Sequence, residues 1–286
     1  MRKENIALKK PTWQASTYGK FTSDRAVDGL AKNLSSVGYQ CSISNNLETK
    51  AEWRVNLENI LSIRYILIFY RTENIRWDSN NPFTSRFLGF SLYISNTTNK
   101  NEGHLCFHDT NYTIDTIPSI ANISCPVHGQ YVIYYNERLD ERTYPSNYSQ
   151  YAFSELCEVK VFGCPEPGYY GDACSIRCPY LNCGYCHIET GQCLECKPGY
   201  QGNQCASVCG RGFYGKRCSE SCGNCSYGET CHPIHGFCTN RCHYVQWDSM
   251  EIIVPCPVAT VICVIGLREN VYPNAMLVGW DRYVPK

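Results

Sequence analysis

The chain has no charge imbalance, few methionines and no apolar run long enough to cross a bilayer. Each shortage excludes something. Its 26 Lys and Arg balance 26 Asp and Glu, and no basic or acidic block stands out, so the chain offers nucleic acid no electrostatic footprint. No long segment combines helical spacing with caps, which argues against a helical bundle. The mostly apolar run Ile252–Leu267 is 16 residues long and bordered by Glu251 and Arg268. That is short of the roughly 20 residues needed to span a membrane. Its place near the end still leaves a truncated anchor, or an unrelated tail, as readings. No catalytic constellation is present. His104 and His108 lie four apart, but no Cys or Ser with a matching orienter accompanies them, and the chain is read as a non-enzyme. Cysteine is scarce early: Cys41, Cys106 and Cys125 are the only ones before Cys157.

What is present divides at one stretch, Glu155 to Cys164. It reads as a β-strand with Cys157, Val159 and Val161 facing one way and Glu158, Lys160 and Phe162 the other. Before it come further strand patterns: Trp53, Val55 and Leu57 alternating with polar residues, then Ile63–Tyr70, Phe87–Ser95 and Tyr131–Tyr135. Turn-rich stretches such as Asp78-Ser79-Asn80-Asn81-Pro82 separate them. An antiparallel, all-β sandwich over 1–163 follows.

From Cys164 onward lie 17 of the 21 cysteines. Gly-(Tyr/Phe)-x-Gly-x-x-Cys occurs at Gly168, Gly199 and Gly212, and glycines at fixed offsets mark tight turns of positive φ. Six Asn-x-Ser/Thr acceptors (Asn33, Asn96, Asn111, Asn122, Asn147 and Asn224) join the cysteines in favouring the secretory pathway. Met1–Asn5 carries no apolar signal core, so a truncated start is expected. The localisation expected is extracellular or plasma membrane.

Four motifs in order carry a resemblance over about 160 residues. They are Asn5–Ser16, Ser23-Asp24-Arg25-Ala26-Val27-Asp28-Gly29, Glu52–Leu57 and Leu156-Cys157-Glu158-Val159. Together they resemble the fucolectin (F-type lectin) family, a galactose-binding-like jelly-roll. The resemblance implies a structural Ca2+ held by the side chains of Asp28 and Glu158 and by backbone oxygens of Arg25, Leu30, Gln40 and Cys157, oxygen donors that suit a hard cation. The plainer alternative is that Asp28 caps the turn at Gly29 and Glu158 is a solvated strand residue. The resemblance also implies disulfides Cys41–Cys157 and Cys106–Cys125. The family's sugar motif is a His followed about two dozen residues later by Arg-x-Asp and a second Arg. Arg71-Thr72-Glu73 resembles the triplet and Arg86 stands for the second Arg. The His position falls near Asn45 or Asn46, and the family's adjacent cysteine pair is absent. Arg71, Glu73, Trp77 and Arg86 are the candidate ligand-binding residues; an ordinary charged loop with Trp77 partly buried is the alternative.

The ladder over 164–242 resembles the EGF-like and laminin-type EGF repeats of multiple-EGF and class F scavenger receptors. That resemblance implies Cys164–Cys174, Cys178–Cys186, Cys183–Cys193, Cys196–Cys205, Cys209–Cys218, Cys222–Cys231 and Cys225–Cys238. Zinc on the paired Cys-x2-Cys knuckles is the competing reading. Cys242, Cys256 and Cys263 remain over in the unassigned tail, 243–286. The function expected is recognition of a glycan or cell-surface glycoprotein, by a lectin-like domain on an EGF-repeat stalk. The alternative is an adhesion or structural protein whose sandwich docks a protein partner. A third reading, binding of anionic lipid, needs apolar spikes, for which Phe83 and Trp77 are the candidates.

Overall fold

Eight strands run antiparallel: β1 (Thr12–Gln14), β2 (Ser42–Ile43), β3 (Lys50–Tyr70), β4 (Ser91–Ser95), β5 (His104–His108), β6 (Ile120–Ser124), β7 (His128–Glu137) and β8 (Glu155–Gly163). The computed structural model describes residues 4–223, 225 and 230–238, with backbone alone at 244–247 and 250–253. The backbone divides into two compact units, Met1–Val208 and Cys209–Lys286.

In the first unit the sandwich hinges on β3. The two segments Trp53–Leu57 and Ile63–Tyr70 belong to one 21-residue strand. Its first half pairs with β1 and β7 and its second half with β6 and β8. The register breaks between Asn56 and Leu61, where Glu58 takes φ +70°. A bulge of this kind lets a strand pass from one sheet to the other without ending. The sheets are therefore β1-β3-β7-β4-β5 and β2-β8-β3-β6.

Between them lies an aromatic core. Trp53, Tyr70, Tyr134, Phe87 and Phe90 are fully buried. Tyr70 stacks on Phe87 at 4.2 Å, and Phe87 on Phe90 at 4.5 Å. The run Phe87–Ser95 is not one strand. A one-turn helix α1 (Thr84–Phe87) comes first and β4 begins only at Ser91, because Gly89 turns the chain at φ +73°. The amino-terminal segment lies along β8: Ile6 N donates to Val161 O at 2.9 Å and Val161 N to Asn5 Oδ1 at 3.0 Å.

After β8 the glycine repeat folds alike in each copy. Gly168, Gly171, Gly199, Gly202, Gly212 and Gly215 all have φ between +80° and +90°. Each copy closes a two-residue ribbon: Tyr169–Tyr170 with Ile176–Arg177, Tyr200–Gln201 with Ser207–Val208, Phe213–Tyr214 with Glu220–Ser221. Two histidines hold turns here. His187 Nδ1 accepts from the N–H groups of Glu189 and Thr190, and His232 Nδ1 from that of Ile234, all at 3.3 Å.

Among the described residues nine disulfides form: Cys41–Cys157, Cys106–Cys125, Cys164–Cys174, Cys178–Cys186, Cys183–Cys193, Cys196–Cys205, Cys209–Cys218, Cys222–Cys231 and Cys225–Cys238. The knuckle sulfurs are thus bonded to sulfur and do not ligate zinc. Such density belongs to an oxidising, extracellular-type compartment and replaces the apolar core that so small a module lacks. Among the described residues no helix is long and apolar enough to cross a membrane. Residues 250–253 pair with 244–247; the rest of the proposed span 252–267, Asn224, Cys242, Cys256 and Cys263 lie outside the described residues.

Candidate functional site

β3 ends at Tyr70 beside the start of β8, and Arg71 N donates to Glu155 O at 3.0 Å. The chain then loops through residues 71–83 to α1. Buried Asn81 shapes this loop: its Nδ2 donates to the carbonyls of Thr72 (3.1 Å) and Arg76 (3.2 Å), while its Oδ1 accepts from Phe83 N at 3.0 Å. Asn136 on β7 pins the far end, donating to the carbonyls of Arg86 (3.1 Å) and Leu88 (3.2 Å).

This scaffold brings Arg71 and Arg86 onto one carboxylate. Their Nη1 atoms donate to the same Oε1 of Glu155, at 2.8 and 2.9 Å. Phe83 lies under both guanidiniums, 4.3 and 4.8 Å from its ring centre, and Phe153 lies 4.3 Å from that of Arg86. Such planar cations over aromatic faces, held on one buried carboxylate oxygen, are rigid donors. Glu155 is 1% exposed, whereas the Arg86 side chain is 27% exposed. Burial pushes the Glu155 carboxyl upward against the pull of Arg86 and Arg71. Its Oε2 and the buried Tyr70 hydroxyl make no hydrogen bond in the structure.

Glu73 has a different task. It bonds Arg71, and its two oxygens accept from Ser35 Oγ at 2.6 Å and Ser36 N at 3.0 Å. Burial pushes its carboxyl up, but the bonds from Ser35, Ser36 and Arg71 outweigh burial and hold it at about 2. Glu73 thereby fastens loop 33–40 to the arginine loop. Trp77 turns inward instead: Nε1 donates to Ile117 O at 2.7 Å and the ring meets Tyr70 edge-on. Trp77 is partly buried against the core and Phe83, 7% exposed, is buried, so neither stands out as an apolar spike. Asn45 and Asn46, exposed, follow the β2 position (Ile43) that pairs with Glu155. Sequence reasoning missed Glu155, Phe83 and Phe153 as parts of the site. A Glu opening an apolar strand was a signal, but only strand register joins it to two arginines.

A second cluster joins the amino-terminal loop to β8. Glu158 is not a solvated strand residue: it is 0% exposed. Its Oε2 accepts from Gly29 N at 3.1 Å, and its buried Oε1 makes no hydrogen bond. Burial raises its carboxyl to about 7, and the charge of nearby Asp28 adds to the rise, against Gly29 N–H and Lys160. Asp28 is itself raised by burial; its Oδ1 accepts from Leu30 N at 2.8 Å, the turn bond. Two carboxylates that disfavour each other's charge beside an orphaned buried oxygen fit a cation. Among the described residues no three His, Cys, Asp or Glu side chains converge, so carbonyl oxygens would have to complete the shell. Nearby, the Arg25 guanidinium donates to the carbonyls of Lys20 and Tyr39, and the Gln40 side chain accepts from Asn33 N. Leu30 is exposed, and Cys157 is tied to Cys41.

The chain is similar to sugar-binding β-sandwiches. The lectin domain of lectinolysin complexed with Lewis b antigen is 19% identical, with a TM-score of 0.43, over 57% of this chain and 99% of that one. A fucose-binding module of Streptococcus pneumoniae gives 21%, 0.43, 56% and 96%. A fucolectin from striped bass (Morone saxatilis) serum gives 22%, 0.43, 56% and 47%, so the likeness spans about half of that chain. No family model matches the chain, and no curated protein does.

Proposed function

We propose that the sandwich is an extracellular glycan-binding module whose sugar contacts are Arg86 and Arg71. The observation that supports this most is the fixed pair of guanidiniums on Glu155, backed by Phe83 and Phe153, at a partly exposed end of the sandwich. Donors held in place suit the oxygens of a sugar, because little side-chain freedom is lost on binding. Glu73 and Trp77 act on the protein side, the first as a loop tether and the second as a core residue. In this reading Asp28 and Glu158 hold a structural Ca2+ with carbonyl oxygens of the Arg25, Leu30, Gln40 and Cys157 segments, and the cation supplies the charge that the two carboxylates lack. The cysteine-rich repeats serve as an EGF-like stalk for recognition of a cell-surface glycoprotein. Fucose and Lewis b, the ligands named for similar structures, are the first sugars to test. The test is a glycan array with the full chain, in calcium and in EDTA. The expected outcome is binding to a defined sugar that disappears with Arg86→Ala. A folded chain that binds no glycan in either buffer overturns the reading and turns attention to protein partners.

A further inference from the structure

Arg71 and Arg86 are cations at a partly exposed end, a combination that ordinarily recruits acidic groups such as sulfate, phosphate or carboxylate. Here the charges already balance. Two guanidiniums meet two carboxylates, Glu155 on both of them and Glu73 on Arg71. The next pair along the loop, Arg76 and Asp78, is balanced too, at 3.1 Å. Glu155 also occupies the place an incoming oxyanion would take, since one of its oxygens receives Nη1 from both arginines. Because Glu155 is 1% exposed, its charge acts through a medium of low dielectric, where it is screened little. Arg86 keeps further N–H groups and an exposed edge for neutral oxygen acceptors.

We infer that Glu155 is the specificity-determining residue of this site: an internal counter-anion that makes the arginine pair a reader of neutral sugars and rejects sulfated and sialylated ones. The inference rests on the glycan reading for its ligand, while the anion test below stands apart from it. Glu155→Gln keeps the side-chain volume and removes the charge, leaving two cations against Glu73. Glu155→Asp keeps the charge and shortens the reach.

The probe is inorganic sulfate, titrated into the full chain and followed at the arginine Nε–Hε resonances, beside an array of neutral, sulfated and sialylated glycans. Wild type is expected to give no saturable sulfate response, and Glu155→Gln a saturable one with a dissociation constant at least tenfold below the highest sulfate concentration that leaves wild type unchanged. The array ratio of acidic to neutral glycan should rise tenfold in Glu155→Gln and stay low in Glu155→Asp. Sulfate binding by wild type overturns the inference without any variant, and so does a folded Glu155→Gln that gains no anion affinity. Should wild type bind neutral sugar while Glu155→Gln gains nothing, the glycan reading survives and the role of Glu155 falls. Should Glu155→Gln gain sulfate while wild type binds no glycan, the charge role survives and the glycan reading falls.

Discussion

Replacing Glu158 by Gln separates a cation site from a merely buried acid. In the folded chain the Glu158 carboxyl titrates near 7, against 4.5 for an ordinary Glu, chiefly because it is buried. A raised acid destabilises the fold wherever the unfolded chain is ionised and the folded one resists ionisation. The penalty is therefore absent below pH 4.5, grows between 4.5 and 7, and is complete above 7. At 1.36 kcal/mol per unit, discounted for partial solvent screening, it comes to about 2–3 kcal/mol. In EDTA at pH 7.5, Glu158→Gln should be more stable than wild type by about that amount, and at pH 4.5 the two should converge. Calcium should reverse the order. At a hundred times its dissociation constant it adds about 2.7 kcal/mol to wild type, and much less to the Gln form, which offers a neutral oxygen. The assay is urea unfolding followed by near-ultraviolet circular dichroism at both pH values, with calcium or EDTA. Identical curves for the two proteins at pH 7.5 in EDTA would refute the electrostatic argument. A calcium effect of equal size in both would refute the ligand assignment.

Other outcomes follow from the same contacts. Arg86→Ala should weaken sugar binding tenfold to a hundredfold, about the worth of one or two charge-assisted hydrogen bonds, measured by isothermal titration calorimetry with the array-selected sugar. Glu73→Gln should loosen loop 33–40. Because the folded carboxyl lies at about 2, its contribution is fully present above pH 4.5 and lost toward pH 2, so an acid melt should show a larger pH dependence in wild type than in the variant. Replacing both Cys41 and Cys157 by Ser opens a loop of 116 residues and should lower stability by about 4 kcal/mol, read from the urea midpoint. Gly163→Ala would place a methyl 2.1 Å from the Ser62 carbonyl oxygen. It should cost about 3 kcal/mol, read as a fall in melting temperature; an unchanged melt would contradict the close approach there.

Much of the sandwich was legible because its strands alternate or run apolar, as β8 does from Glu155 to Gly163. The longest strand was not. Glu58-Asn59 looks like a loop between two strands, yet β3 bends there and continues, and only the cross-strand partners settle that. In the site, Arg71 and Arg86 were recognisable from local motif, being close in sequence. Glu155 lies 69 residues beyond Arg86, and its role depends on β3–β8 register that no local pattern carries. Trp77 sits in a polar loop, and the sequence leaves open whether it meets a ligand or is partly buried; the structure shows it partly buried. What turns it inward is the carbonyl of Ile117, 40 residues away. The cysteine pairs that the resemblance implied are the pairs the structure forms; spacing alone leaves connectivity open, and Cys41–Cys157 spans 116 residues.

β8 also behaves as a ruler. Its first residue, Glu155, anchors the arginine pair, and its last, Gly163, is joined directly to Cys164 and the repeats. Eight steps of about 3.3 Å hold those two ends some 26 Å apart. Within the first unit, the arginine pair and the first cysteine of the repeats thus lie at opposite ends of one strand. A register slip in β8 would therefore disturb both at once, the carboxylate that holds the arginines and the junction to the repeats.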